Sequence, residues 1–265
     1  MPVLTRDDVE IHWTERGDSS AASTVPLVLV HGLTASSRMF ERLAAELDHR
    51  WIILVDVRGH GTSSEPTDPA AYTWTHMVAD VLAVLDRLDV DEAVVGGTSL
   101  GADVALAFAD AHPERTAGLI LEMPVLLESE GFARSLFGPA ARVLSFLAPV
   151  LAPIMRTIGR VPVPRFPELV LLRDVLSHDP RALAAVFRGL LRSDQPDTSS
   201  LAHIDAPTLV IGHRHDRLHA IADAHHVATD IAGAELVEAP SFLHYRIRVT
   251  ELAELVDDFL TRHNL

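Results

Sequence analysis

The stretch Glu92-Ala93-Val94-Val95-Gly96-Gly97-Thr98-Ser99-Leu100-Gly101-Ala102-Asp103-Val104-Ala105-Leu106 decides the fold of this chain. Residues 92–97 are apolar without alternation, the pattern of a strand covered on both faces. Residues 100–111 are rich in alanine and form a good helix. Between them lies Gly97-Thr98-Ser99-Leu100-Gly101, a G-x-S-x-G motif whose strand-to-helix setting matters more than its five letters. In so sharp a turn a side chain two residues either side of Ser99 would collide with the neighbouring backbone, which explains the two glycines. The turn lifts the Ser99 hydroxyl above the sheet. It also aims the first N–H groups of the helix, that of Leu100 among them, at the same point, where negative charge is favoured.

Outward from this turn, the same alternation repeats. Apolar runs at 26–30, 51–57, 117–123, 207–212 and 234–239 read as further buried strands. Residues 76–88 carry Val78, Val81, Leu82, Val84 and Leu85 at helical spacing, and residues 250–262 read as a helix with Thr250 as its N-cap. Strands alternating with helices imply an α/β fold with a doubly wound, mostly parallel sheet, whose ligands bind outside the carboxyl ends of the strands. Residues 125–200 break the alternation. They show helical periodicity and several prolines (Pro139, Pro149, Pro153, Pro162, Pro164, Pro167) but no strand. They are expected to form a helical cap inserted into a core made of residues 1–124 and 201–265.

Length and composition bound the rest. The chain has 265 residues, enough for one large domain or a core with an inserted lobe. Its net charge of −15 argues against a nucleic acid or an anionic membrane as partner. All 22 basic residues are arginine, and cysteine is absent, which removes disulfides and thiolate chemistry. The apolar runs read too short to span a bilayer, and the N-terminus has no signal-peptide core, so the expectation is a cytoplasmic protein with no membrane partner. No G-x-G-x-x-G follows a strand, and the His213-Arg214-His215 and His225-His226 pairs lack the acids of a metal site, so neither cofactor nor metal is expected.

With these motifs in hand, the chain resembles the α/β-hydrolases along essentially its whole length, and within them the small esterases and 3-oxoadipate enol-lactonase-like hydrolases. His31-Gly32-Leu33-Thr34 resembles the family's oxyanion loop, which makes the Leu33 N–H the partner of Leu100 in an oxyanion hole. Asp56-Val57-Arg58-Gly59-His60-Gly61-Thr62-Ser63 resembles a scaffold turn of the family, so His60 is read as structural. A serine at position 99 departs from the branches that use an aspartate nucleophile. The family order is nucleophile, acid, histidine. By that order Asp216, after the 207–212 strand, is the acid, with Glu122 in reserve. The base is chosen as His244, after the last strand, although a gapless alignment from the final helix puts the family position on Phe242; His219, three residues after Asp216, is the second candidate.

The resemblance implies a cofactor-independent serine hydrolase that cleaves an ester, lactone or thioester through an acyl-enzyme on Ser99. The alternative is a non-hydrolytic ligand-binding or biosynthetic member of the same fold, such as a cyclase or a C–C bond hydrolase. The partner is a small molecule. The apolar side chains of residues 125–200 suit an apolar substrate, and a local excess of arginine there permits an anionic one; the oligomeric state is left open.

Overall fold

The structure, a computed structural model, describes residues 1–18, 25–158, 167–193, 198–216 and 218–265. A hairpin opens the chain: β1 (Val3–Arg6) pairs antiparallel with β2 (Val9–Arg16). Asp7 and Asp8, both at positive φ, make the two-residue turn, a conformation that matches the twist of the strands. β2 then pairs antiparallel with β4 (Ile52–Asp56). All further pairings are parallel and join β3 (Leu27–Val30), β4, β5 (Ala93–Thr98), β6 (Thr116–Glu122), β7 (Thr208–His213) and β8 (Glu235–Ala239). The order is β1-β2-β4-β3-β5-β6-β7-β8, with β3 out of sequence between β4 and β5. The six apolar runs are the six parallel strands, each within a residue or two of its expected ends. The hairpin adds an antiparallel edge.

Helices cover both faces. α1 (Glu41–Glu46) and the C-terminal α9 (Val249–Arg262) pack on one, burying Leu43, Leu47, Leu252, Val256 and Phe259 against Leu29, Leu54 and Ile211. α2 (Trp74–Arg87), α3 (Leu100–Ala111) and α7 (Ile221–Asp230) cover the other. α9 begins one residue before Thr250, and no side chain caps it, so the expected threonine cap is absent.

Among the described residues, three α-helices stand between β6 and β7: α4 (Leu127–Ile158), α5 (Pro167–Ser177) and α6 (Pro180–Arg192). Of the prolines read there, Pro162 and Pro164 lie outside the described residues. α4 continues through Pro139, Pro149 and Pro153. It buries Ala141, Ala148, Ala152 and Met155 on one side and exposes Phe132, Leu136, Val143, Phe146, Val150 and Ile154 on the other. Its segment Gly131–Ile158 is, by length and composition alone, long and apolar enough to cross a membrane. This corrects the reading that every apolar run is too short. The prolines, small residues and three arginines interrupt the run in sequence, and only the continuous helix joins its parts.

The Asp56–Ser63 turn acts as scaffold. Asp56 accepts from the Ser37 N–H (2.7 Å) and from the Thr62 N–H (2.9 Å). Arg58, fully buried, donates twice to Asp80 (2.6 and 2.7 Å). His60 is buried between the rings of His31 and His178.

Candidate active site

Ser99 ends β5 and opens α3 with φ 55° and ψ −117°, a conformation that costs a non-glycine residue energy and persists only where its surroundings impose it. Those surroundings are backbone. A Cβ on Gly97 would lie 2.2 Å from the Val30 carbonyl oxygen, and one on Gly101 would lie 1.8 Å from the same atom. Thus α3 starts against the end of β3, and the Ser99 N–H donates to the Glu122 carbonyl of β6 at 2.8 Å. The loop after β3 passes close by: a Cβ on Gly32 would be 3.8 Å from Ser99 Cβ. Leu33 and Leu100 line the same cavity as Ser99.

The histidine at Ser99 is His219. Its Nε2 lies 2.9 Å from Ser99 Oγ, and its Nδ1 lies 2.8 Å from Asp216 Oδ2. An ionised carboxylate only accepts, so Nδ1 carries the proton and Nε2 faces the serine hydroxyl as an acceptor. Burial alone would raise the Asp216 carboxyl, but the His219 bond and the N–H groups of Leu218 and His219 outweigh it and hold the group below its ordinary value. Those two N–H groups donate to Oδ1 at 2.8 and 3.2 Å, which fixes the carboxylate in a tight turn just ahead of α7.

The expectation that His244 meets Ser99 is therefore corrected. His244 starts α8 (His244–Ile247), and its Nε2 lies 3.1 Å from Glu251 Oε2. No glycine precedes it to let the chain turn toward Ser99, and α9 follows at once. Phe242, where the gapless alignment falls, lines the cavity with Leu243 and Arg246. The signal that marks His219 is local: three residues after a loop aspartate, in the last turn before a helix, a histidine can fold back onto that carboxylate.

Glu122 is engaged elsewhere. It accepts from Thr98 Oγ1 and from Arg246, and it lies 3.1 Å from His213 Nε2, while His213 Nδ1 lies 2.9 Å from the Ser241 carbonyl oxygen. Burial would raise Glu122, yet Arg246, then His213 and Thr98, hold it at about 2. The carboxylate thus braces the ends of β5, β6 and β7 beneath the cavity and makes no bond to His219 among the described residues.

The cavity above Ser99 measures about 1350 Å³. Val125, Phe137, Phe187, Leu190 and Leu191 give it apolar walls drawn from α4 and α6 and their approach. Arg16, Arg38, Arg42 and Arg173 stand along its α1 and α5 side. Among the described residues, no cluster of three or more histidines and carboxylates could hold a metal ion.

Comparison with known proteins agrees with this fold. The family profile described as "alpha/beta hydrolase fold" matches residues 25–149. The 3-oxoadipate enol-lactonase 2 of Acinetobacter baylyi is 28% identical over 244 residues, 88% of this chain and 86% of that protein. A putative 2-succinyl-6-hydroxy-2,4-cyclohexadiene-1-carboxylate synthase of Bacillus subtilis is 29% identical over 120 residues, 45% of this chain and 43% of that protein. That match and one to a putative non-heme haloperoxidase of Mycobacterium phage D29 span only 43% and 38% of the relatives' lengths. Among solved structures, a hydrolase from Pseudomonas aeruginosa superposes with a TM-score of 0.78 at 26% identity, covering 98% of this chain and 97% of that one. An enol-lactonase from Burkholderia xenovorans superposes with a TM-score of 0.79 at 24% identity, covering 98% and 100%. With the strand order, the strained turn at Ser99 and these likenesses together, the chain has the α/β-hydrolase fold and resembles enol-lactonase-like hydrolases.

Proposed function

We propose that the chain is a serine hydrolase that cleaves an ester, lactone or thioester through an acyl-enzyme on Ser99. The observation that carries this reading is the unbroken chain of hydrogen bonds from Ser99 Oγ to His219 Nε2 (2.9 Å) and from His219 Nδ1 to Asp216 (2.8 Å). His219 takes the hydroxyl proton as Ser99 Oγ attacks the carbonyl carbon. Asp216 holds the ring in the required tautomer and stabilises the imidazolium. The N–H groups of Leu33 and Leu100 receive the oxyanion. His219 then returns the proton to the leaving oxygen or sulfur, and water, deprotonated by the same ring, releases the acid. The α4–α6 segment acts as a cap that supplies the apolar walls of the pocket, and no step requires a cofactor.

Covalent labelling tests the reading. A fluorophosphonate probe should modify the protein stoichiometrically, at Ser99 by peptide mass, and Ser99→Ala and His219→Ala should abolish the adduct. An unlabelled, folded wild-type protein would overturn it in favour of a non-hydrolytic member of the fold.

A further inference from the structure

The root of α4 and the segment that carries His219 grip each other. Residues 125–129 lead from β6 into α4, and the N–H groups of a first helical turn have no partners within their own helix. Here two buried carboxylates from the sheet-covering helices take them. Asp223, in the first turn of α7, accepts from the N–H groups of Leu126 (3.0 Å), Glu128 (3.0 Å) and Ser129 (3.1 Å). Asp103, one turn into α3 from Ser99, accepts from the Val125 N–H at 2.9 Å. Burial, with Asp223 nearby, pushes the Asp103 carboxyl well above its ordinary value.

The grip is returned in the other direction. Ser129, only 1% exposed, accepts the Ala220 N–H on its Oγ at 2.8 Å. That N–H belongs to the peptide joining His219 to Ala220, and Ala220 occupies the N-cap position of α7 without a side-chain cap of its own. One hydroxyl on α4 therefore fixes the peptide plane directly after the imidazole that faces Ser99. The other side of that imidazole is held by Asp216, which accepts from the N–H groups of Leu218 and His219.

We propose that Ser129 is a positioning residue for His219, and that through Ser129 and Asp223 the seating of the α4 root sets the Ser99–His219 hydrogen bond. The inference rests on the serine-hydrolase reading given above. When the root is seated, the His219 peptide is locked and the ring meets Ser99 Oγ. When the Ala220 N–H loses its acceptor, the peptide is free to turn, and a displacement of about 1 Å at a reacting group is enough to cost on the order of 100-fold in rate.

The test compares wild type, Ser129→Ala and the near-isosteric Ser129→Cys, whose sulfur is a weak acceptor. Three measurements are made: the rate constant for fluorophosphonate labelling of Ser99, kcat and KM on a chromogenic ester, and the downfield N–H proton resonance of the His219–Asp216 bond. Both variants should label roughly 10- to 100-fold more slowly, lose kcat with KM little changed, and broaden or shift the resonance. Slow labelling by Ser129→Cys with a melting temperature near wild type supports the proposal even where Ser129→Ala folds poorly. Labelling rates and resonance equal to wild type, with only a lower melting temperature, would overturn it and leave Ser129 a structural cap. A wild-type protein that does not label would instead remove the serine-hydrolase reading itself, and the inference with it.

Discussion

The turn after β5 and the loop after β8 both stand at the carboxyl end of the sheet and border the same cavity, yet they are constrained in opposite ways. Around Ser99 the backbone leaves no room. Gly97 and Gly101 both abut the Val30 carbonyl, and Ser99 itself is held at φ 55°. After β8 the chain runs through Ser241, Phe242 and Leu243 into a four-residue helix, and Phe242, Leu243 and Arg246 line the cavity. Backbone crowding tolerates few sequences, whereas a side-chain-lined loop tolerates many. The turn at Ser99 is accordingly spelled out in the sequence, while His244, the histidine expected from the loop after β8, meets Glu251 instead, and its place at Ser99 is filled from the loop after β7.

The sharpest way to break this contrast is to remove the two groups that meet. Ser99→Ala or His219→Ala should lower kcat on a chromogenic ester by about 10⁴-fold or more. A loss after His219→Ala smaller than tenfold would return the base to another residue. Next comes the crowding itself. Gly101→Ala puts a Cβ against backbone that cannot give way, and should cost about 3 kcal/mol or more in a denaturant titration; a fully stable variant would show that the turn is looser than its contacts imply.

Beneath the cavity, Glu122→Gln deprives Arg246 of its carboxylate. The expected loss is about 2 kcal/mol at pH 7, less than for fully sealed pairs because Arg246 keeps some contact with solvent. Glu122 is held at about 2 against an ordinary 4.5, so its contribution is complete above about pH 4.5 and is lost as the pH falls toward 2. In the glutamine variant the acid-induced loss of stability over that window should shrink. An unchanged acid-unfolding curve would count against the pairing. The smallest effect belongs to His244→Ala: the side chain is bonded to the partly exposed Glu251, and the change should stay within about 0.5 kcal/mol in stability and about twofold in kcat/KM. A larger fall in rate would reinstate that histidine.

Legibility in the sequence follows the same physics. The parallel strands announce themselves because burial on both faces demands unbroken apolar runs, and the nucleophile turn does so because its sterics demand glycine. Asp216 was readable from its place after the strand that becomes β7. His219 was visible only as a second candidate, since whether a loop histidine folds back on an aspartate three residues earlier depends on backbone torsions that composition does not encode. The β1–β2 hairpin was not read, because β1 has only four residues and β2 alternates buried Val9, Ile11 and Trp13 with polar residues instead of forming an unbroken apolar run. The length of α4 was hidden by prolines, which mark a break in sequence that the helix does not make.

The Asp216–His219 pairing has a consequence for how this protein can change. Because both groups come from one short stretch of chain, the hydrogen-bonded path to Ser99 is complete before the last strand is reached. The loop after β8, which supplies Phe242, Leu243 and Arg246 to the cavity, is thereby released from carrying any part of that path. It becomes a region in which selection can redraw the shape of the pocket, and with it the range of molecules admitted, while Ser99, His219 and Asp216 stay in register.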